Sequence, residues 1–337
     1  MRLSKASTIN DVARLSGVSH QTVSRVINEH PNVAPKTRKR VLEVIQELGY
    51  QPNRAARHLV TGKSNTVGLV SYGTSHYGPA RMVNSIDSAL RDRDIGLVST
   101  HLREMTLSEL EHSVSYLKSQ LVEGLILISP LDIDVEIIRK LCQPLPFVTL
   151  DVAARKNFPS IAIDQYSGAR KATEHLLELG HRSIAHISGP LHWTDAKLRQ
   201  QGWQDSLSDA KLQPDNKLKI EGDWTSEGGY AACKKLLSSS FSALFVGNDQ
   251  MALGAIHALH EHGLSVPEDI SIVGFDDIPE AAFFYPPLTT VQQNFTDLGK
   301  QSVSFLLDLL ANNQPEDQTP INPKLIVRES TKRIKDA

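Results

Sequence analysis

From Thr66 onward, short apolar runs alternate with amphipathic stretches long enough to be helices, and this alternation constrains the fold more than any other feature of the chain. TVGLVSY, IGLVST, GLILIS and LPFVTLD read as strands, separated by helices predicted over 79–91, 107–119 and 135–141. A second series follows, with helices over 166–179, 195–210, 227–237 and 250–262 and strands IAHISG, ALFVG and ISIVGFDD. Strands that are apolar along their whole length are buried on both faces, as in parallel sheets covered by helices. The expected fold is α/β, with two doubly wound parallel-sheet lobes. Two lobes leave a cleft, and sheets of this type meet ligands at the carboxyl ends of their strands.

The first fifty residues follow a different, all-α pattern. Thr8 can cap a helix from Ile9, with Asp11 where a capping box wants an acid. Val12, Ala13 and Leu15 supply its apolar stripe. Gly17 breaks that helix, Ser19 can cap a second, and Val23, Val26 and Ile27 recur on one face. The other face of the second helix carries His20, Gln21, Thr22, Ser24, Arg25 and Asn28, which can all bond phosphates or base edges. This is a helix-turn-helix signature; the alternative by pattern alone is a helical hairpin whose polar face meets water. Pro35 opens a third helix with Val41, Val44, Ile45 and Leu48 on one side. The basic stretch 52–65 holds only Leu59 and Val60 as sizeable apolar groups, too little to fold unsupported, and reads as a linker that becomes helical on support.

Charge favours the polyanion-binding reading. Residues 1–63 carry eleven Lys and Arg against four Asp and Glu, so this end is seven positive while the remainder is nine negative. A basic end on an acidic body suits a protein that touches nucleic acid with one part only. With 337 residues, 40% of them hydrophobic, the chain can bury a small head and two further domains. No apolar run approaches the roughly 18 residues of a membrane span, and MRLSKASTIND lacks the apolar core of a signal peptide, so a cytoplasmic, nucleoid-associated protein without a membrane partner is expected. Cys142 and Cys233 sit in apolar helical patterns and read as buried free thiols.

Taken together, SHQTVSRVIN, KTRKRVLEVIQELGYQPNRAARHL, LELGHRSIAHISGP, VGNDQMALGAIHAL, ISIVGFDD and PPLTTVQQNF resemble the lac repressor branch of the LacI/GalR family of bacterial transcription regulators. The resemblance runs from about Thr8 to about Arg328. It implies a DNA-binding head over 1–51 and a hinge helix and linker over 52–65. It further implies a periplasmic-binding-protein-like core whose lobes interleave, one of 66–163 plus 292–321 and the other of 164–291 plus 322–330, then a short tail over 331–337. In the major groove His20, Gln21 and Arg25 would face bases, with Thr22, Ser24 and Asn28 nearer phosphates, and the resemblance adds Thr8, Thr37, Asn53 and Ala56 to the DNA-facing set. Leu59 has two readings: packing on its own protein, or, in the family, a wedge into the minor groove. The tail shows no leucine heptad, which implies a homodimer on a near-palindromic double-stranded operator.

The resemblance also assigns the cleft to a small sugar. Asp151, Arg199, Asn248 and Asp276 match hydroxyl-binding residues, Trp224 matches an aromatic wall, and Gln293 and Phe295 match further contacts. Each has a duller alternative: the Asp and Asn residues could cap helices or shape turns, Arg199 could be a solvated charge, and Trp224 could be core. Trp193 and Asp195 stand where the branch's type member has small hydroxyl residues, and Tyr72, Ile163 and Met82 also differ, so one end of the site is reshaped. A galactoside that releases the operator is the expected effector; another sugar or a corepressor is the alternative. A periplasmic sugar-binding protein or a sugar-modifying enzyme would share the lobes. The former predicts a signal peptide and no basic head, and the latter an acid, base or metal constellation. Asp276 and Asp277 are adjacent and would seldom straddle a glycosidic bond. His181 and His186 lack a third ligand at metal spacing. With no phosphate-cradling glycine loop or nucleophile elbow, no catalytic residue, metal or cofactor is expected.

Overall fold

The computed structural model describes residues 7–27, 30–50, 63–128, 133–150, 158–316 and 318–334. The chain divides into two compact units, Met1–Ser64 and Asn65–Ala337. In the first, α1 (Ile9–Ser16), α2 (His20–Ile27) and α3 (Pro35–Leu48) surround Val12, Val23, Val26 and Val41. The capping box is complete: Asp11 Oδ2 accepts from Thr8 N at 3.0 Å and Thr8 Oγ1 at 2.7 Å, and Asp11 N donates back to Thr8 Oγ1 at 3.3 Å. Gly17, at φ 64°, ends α1 in the left-handed region, a conformation costly for residues with a Cβ. Arg38 of α3 donates to His30 O at 2.6 Å and Val26 O at 3.4 Å, tying the third helix to the end of the second.

Leu15 corrects the expected stripe, since it is 52% exposed. At 3.6 residues per turn the buried arc of α1 centres on Val12, Ala13 and Ser16, and Leu15 falls outside it. Ser16 is buried in its place, its hydroxyl satisfied by donation to Val12 O at 2.6 Å.

The second unit holds two sheets. The first has the order β2-β1-β3-β4-β5, built from Thr66–Ser71 (β1), Gly96–His101 (β2), Gly124–Ile128 (β3), Phe147–Leu150 (β4) and Ser160–Ile161 (β5), all parallel. Its helices are α4 (Tyr77–Arg91), α5 (Leu107–Ser119) and α6 (Val135–Cys142). The second has the order β11-β10-β9-β8-β6-β7, built from Ile184–Ser188 (β6), Lys219–Glu221 (β7), Ala243–Val246 (β8), Ser271–Asp276 (β9), Thr289–Gln292 (β10) and Lys324–Ile326 (β11). It is parallel except for β11, which runs antiparallel to β10. Around it lie α7 (Gln165–Glu178), α8 (Thr194–Asp209), α9 (Ser226–Leu236) and α10 (Asp249–Glu261). Strands β1, β3 and β4 are buried along nearly their whole length, as two-sided cover requires, whereas the edge strand β2 is half exposed.

The chain passes between the sheets more than once. After β10, helix α11 (Phe295–Leu310) returns to the first sheet, where Phe295, Leu298, Val303 and Leu306 share a core with Val67, Leu69 and Ile126. Ile163 and Ile321 form a parallel bridge, fastened by Ile321 N to Ala162 O at 2.8 Å and Asp164 N to Ile321 O at 2.9 Å. Cys142 and Cys233 are buried free thiols, and burial pushes both up to about 12. No helix among the described residues is long and apolar enough to cross a membrane.

Candidate functional site

The carboxyl ends of β6, β8 and β9, together with the segment after β10, bring one set of polar side chains into a buried network. Arg199, in the second turn of α8, donates through Nε to Gln165 Oε1 at 2.9 Å and through Nη1 to the Gly247 carbonyl. Gln165 Nε2 donates to Gln293 Oε1 at 2.8 Å, and Gln293 Nε2 to Asp276 Oδ1 at 2.6 Å. Each amide spends one donor and one acceptor, so the order of bonds orients both glutamines. The guanidinium also lies 3.8 Å from the centre of the Phe275 ring and 5.4 Å from that of Trp224. Its Nη2 sits 3.8 Å from Asp276 Oδ1 and 3.9 Å from Asp195 Oδ2, close enough for charge but too far for a hydrogen bond. Only 4% of its side chain is exposed, so Arg199 is not a solvated helix charge.

The turn after β9 separates two adjacent acids. Asp276 has φ 115° and Asp277 φ 52°, so their carboxylates diverge. Asp277 pairs with Arg328 Nη2 at 2.6 Å and accepts from Gln292 Nε2 at 2.8 Å. Asp276 faces the network, and burial, aided by Asp195 and opposed by Arg199 and the Gln293 bond, raises its carboxyl to about 6. Behind it, Asp249 is fully buried, taking hydrogen bonds from Thr290 Oγ1 at 2.6 Å and Ile278 N at 2.9 Å. Burial, and then Asp276, drives its carboxyl well above the usual range.

Asn248 does what its duller reading proposed: Oδ1 caps α10 by accepting from Met251 N at 2.9 Å. Its Nδ2 donates to Trp224 O at 3.0 Å, tethering the segment that carries that indole. Trp224 is itself in the left-handed region at φ 71° and packs flat on Gly189, where a Cβ would come within 2.1 Å of the ring. Its Nε1 is buried without a hydrogen-bond partner among the described residues. Trp193, the N-cap residue of α8, packs at 5.6 Å from Tyr72, 5.7 Å from His76 and 5.9 Å from Trp224.

These groups line a cleft between the two sheets. Trp193, Asp195, Arg199, Trp224, Asn248, Asp276 and Gln293 line one side, and His76, Tyr77, Gly78, Pro79 and Met82 the other. Two expected contacts stand one layer back. Tyr72 supports Trp193, and Phe295 supports Tyr77 at 6.1 Å, because Phe295 opens α11 with its ring in the first sheet's core. Asp151 lies outside the described residues. Gln165 was not among the expected residues, nor were His76, Tyr77 and Pro79; the last three lie past β1, a strand end that could have pointed to them. His181 is held by Ser242 Oγ at 2.9 Å and Lys332 O at 3.2 Å, and His186 by Phe245 O at 2.9 Å. Among the described residues no cluster of His, Cys, Asp or Glu is arranged to hold a metal ion.

On the first unit, His20, Gln21 and Arg25 are exposed on one face of α2, with Thr22, Ser24 and Thr37 half-buried. Thr22 Oγ1 is 3.0 Å from Ser19 Oγ, which accepts from Thr22 N at 3.2 Å, and the Thr8 hydroxyl is spent in its capping box. Asn28, Asn53, Ala56 and Leu59 lie outside the described residues.

A helix-turn-helix unit with an exposed polar recognition face, followed by two parallel-sheet lobes around a polar and aromatic cleft, defines a ligand-binding transcription regulator. Residues 8–53 match the profile of bacterial regulatory proteins of the lacI family, and residues 173–331 match the periplasmic binding protein-like domain. The lactose operon repressor of Escherichia coli (strain K12) is 36% identical over 97% of this chain and 91% of its own. The crystal structure of the lac repressor dimer bound to operator and the anti-inducer ONPF superposes with a TM-score of 0.89 at 35% identity, covering 97% of this chain and 100% of that one. The complex of the transcriptional regulator CelR with cellobiose superposes at 0.69 with 34% identity, covering 96% and 99%. The chain belongs to the LacI family of DNA-binding transcriptional repressors.

Proposed function

We propose that this protein is a homodimeric repressor whose grip on a near-palindromic operator is released by a small sugar, a galactoside, bound in the cleft. The observation that carries this reading is the set of polar atoms in and beside the network. Trp224 Nε1 has no hydrogen-bond partner among the described residues, Arg199 Nη2 stands 3.8 and 3.9 Å from the carboxylates of Asp276 and Asp195, and Gln293 engages Asp276 through Oδ1. Two fixed donors and a carboxylate oxygen beside two indoles suit adjacent hydroxyls on a ring with an apolar face. The lactose operon repressor and the CelR–cellobiose complex support a sugar by their names.

In this reading His20, Gln21 and Arg25 address base edges, Thr22, Ser24 and Thr37 lie toward phosphates, and Asn28, Asn53, Ala56 and Leu59 complete the contact. The lobes, 66–163 with 292–321 and 164–291 with 322–330, turn against each other when the sugar binds. Induction then requires the sugar to bind the released state more tightly, by the factor that sets the loss of operator affinity. The test is fluorescence anisotropy on a duplex selected from randomised oligonucleotides, titrated with sugars. A galactoside that weakens binding is expected. A sugar that strengthens binding would reverse the sign, and indifference to every sugar would overturn the reading.

A further inference from the structure

We propose that Trp193 is a wall spanning the cleft from lobe to lobe, and that it limits the effector to a single sugar ring. This rests on the sugar-binding reading above. The indole stands at the start of a helix, in a loop past a strand end, where side chains ordinarily reach water. It is nevertheless only 6% exposed. Its own lobe's core holds it from one side, beside Ala196 and Trp224, and the opposite lobe covers it from the other: Tyr72 and His76, both in the loop that follows β1, lie 5.6 and 5.7 Å from it. From its own lobe Trp224 meets it edge-on at 5.9 Å.

The contact reaches the opposite backbone. Gly73 has φ 68°, and a Cβ there would lie 2.6 Å from Trp193 Cη2, so the indole rests directly on the loop. The wall therefore joins the two lobes through rigid rings, and a ligand cannot extend past it without moving the indole. Arg199, Asp276 and Gln293, which would hold a sugar's hydroxyls, line the same pocket as Trp193, so a ring held by them has the indole standing where a second ring would continue.

The proposal is tested by isothermal titration of the full-length protein with matched pairs: methyl galactoside against lactose and a nitrophenyl galactoside, and glucose against cellobiose. The wild type is expected to bind the one-ring member of a pair about tenfold or more tightly than its two-ring partner. Trp193→Ala should narrow or invert that ratio, and Trp193→Phe, which keeps an aromatic support, should fall between and serves if the alanine variant does not fold. A residue packed only for stability would change the melting temperature without changing the ratio. Equal or tighter binding of two-ring sugars by the wild type, or a ratio unmoved in the variants, overturns the wall. Failure of every sugar to bind overturns the sugar reading itself, a result distinct from the other two.

Discussion

Asp276 shows how a single residue couples the cleft to pH. Its folded carboxyl titrates near 6 rather than at 3.8, chiefly because it is buried, so the folded chain holds the proton more firmly than the unfolded chain. Ionising it costs stability progressively as pH rises from about 4 to 6, a penalty of roughly 3 kcal/mol once complete. The melting temperature of Asp276→Asn, measured against wild type, is expected to gain as pH rises through this window and to level off above it. Sugar affinity should move oppositely in the wild type, weakening below about pH 6 as the accepting oxygen is protonated. His186 has the reverse sign. It is stacked between Phe245 at 4.8 Å and Trp203 at 5.4 Å, and burial pulls it down to about 4. Its neutral form favours folding above pH 6.5, and that contribution is lost as pH falls toward 4. His186→Phe retains the stack, so urea midpoints at pH 7 and 4.5 should differ less than in wild type. At this scale the candidate site was partly legible. Arg199, Asn248 and Asp276 could be placed past predicted strand ends, whereas Trp224 and Gln293 were reached only through the family resemblance. Gln165 could not be named, because nothing local marks a glutamine at a helix start as the link between an arginine and a second glutamine 128 residues away.

Between elements, close approach is set by glycines. In α10, a Cβ at Gly254 would lie 1.8 Å from the Ser226 carbonyl oxygen of α9, and α9 returns the contact through Gly229, against the Met251 backbone. Gly254→Ala must push these helices apart and is expected to cost about 1–3 kcal/mol, read as a lower denaturation midpoint. That cost is net of the roughly 1 kcal/mol that alanine's helix propensity returns over glycine. The long helices and buried strands of both lobes were readable from their periodicity. The elements that escaped were β5, β7, β10, β11 and α11. The first four have two to four residues each, and β7 and β11 are half-exposed edges; such strands exist because a neighbour pairs with them, not because of their own apolar pattern. Helix α11 has an apolar face, but its return to the first lobe was given by the family resemblance and not by its own pattern; Gly299 lets it close on Ser85 of α4, where a Cβ would come within 2.6 Å. Leu15 fell outside the head's core because a three-residue stripe leaves the centre of a helix face undetermined.

For the whole molecule, the division into a basic head and an acidic body separates two kinds of recognition. Arg25→Ala on the exposed face of α2 is expected to weaken operator binding by about 1–3 kcal/mol and to relax preference at one base pair, measured by anisotropy on substituted duplexes. The same variant should leave sugar affinity unchanged, since Arg25 and the cleft belong to separate compact units. Equal operator affinity for variant and wild type would place the recognition face elsewhere.

Local chemistry in the chain was sufficient to specify the capping box at Thr8 and Asp11, the glycine turn, the alternation of buried strands and covering helices, and the acid and amide residues at strand ends. These follow from interactions a few residues in reach, such as periodicity, caps and backbone preference. Tertiary structure alone decided that Arg199 is held by Gln165 and Gly247, that Asp276 and Asp277 face apart, and that Trp193 is buried by the loop after β1. Those outcomes depend on which strand ends the sheet order brings together, and on how much water the packing removes from a charge or a ring. Both are properties of distant segments meeting, which a local pattern does not contain.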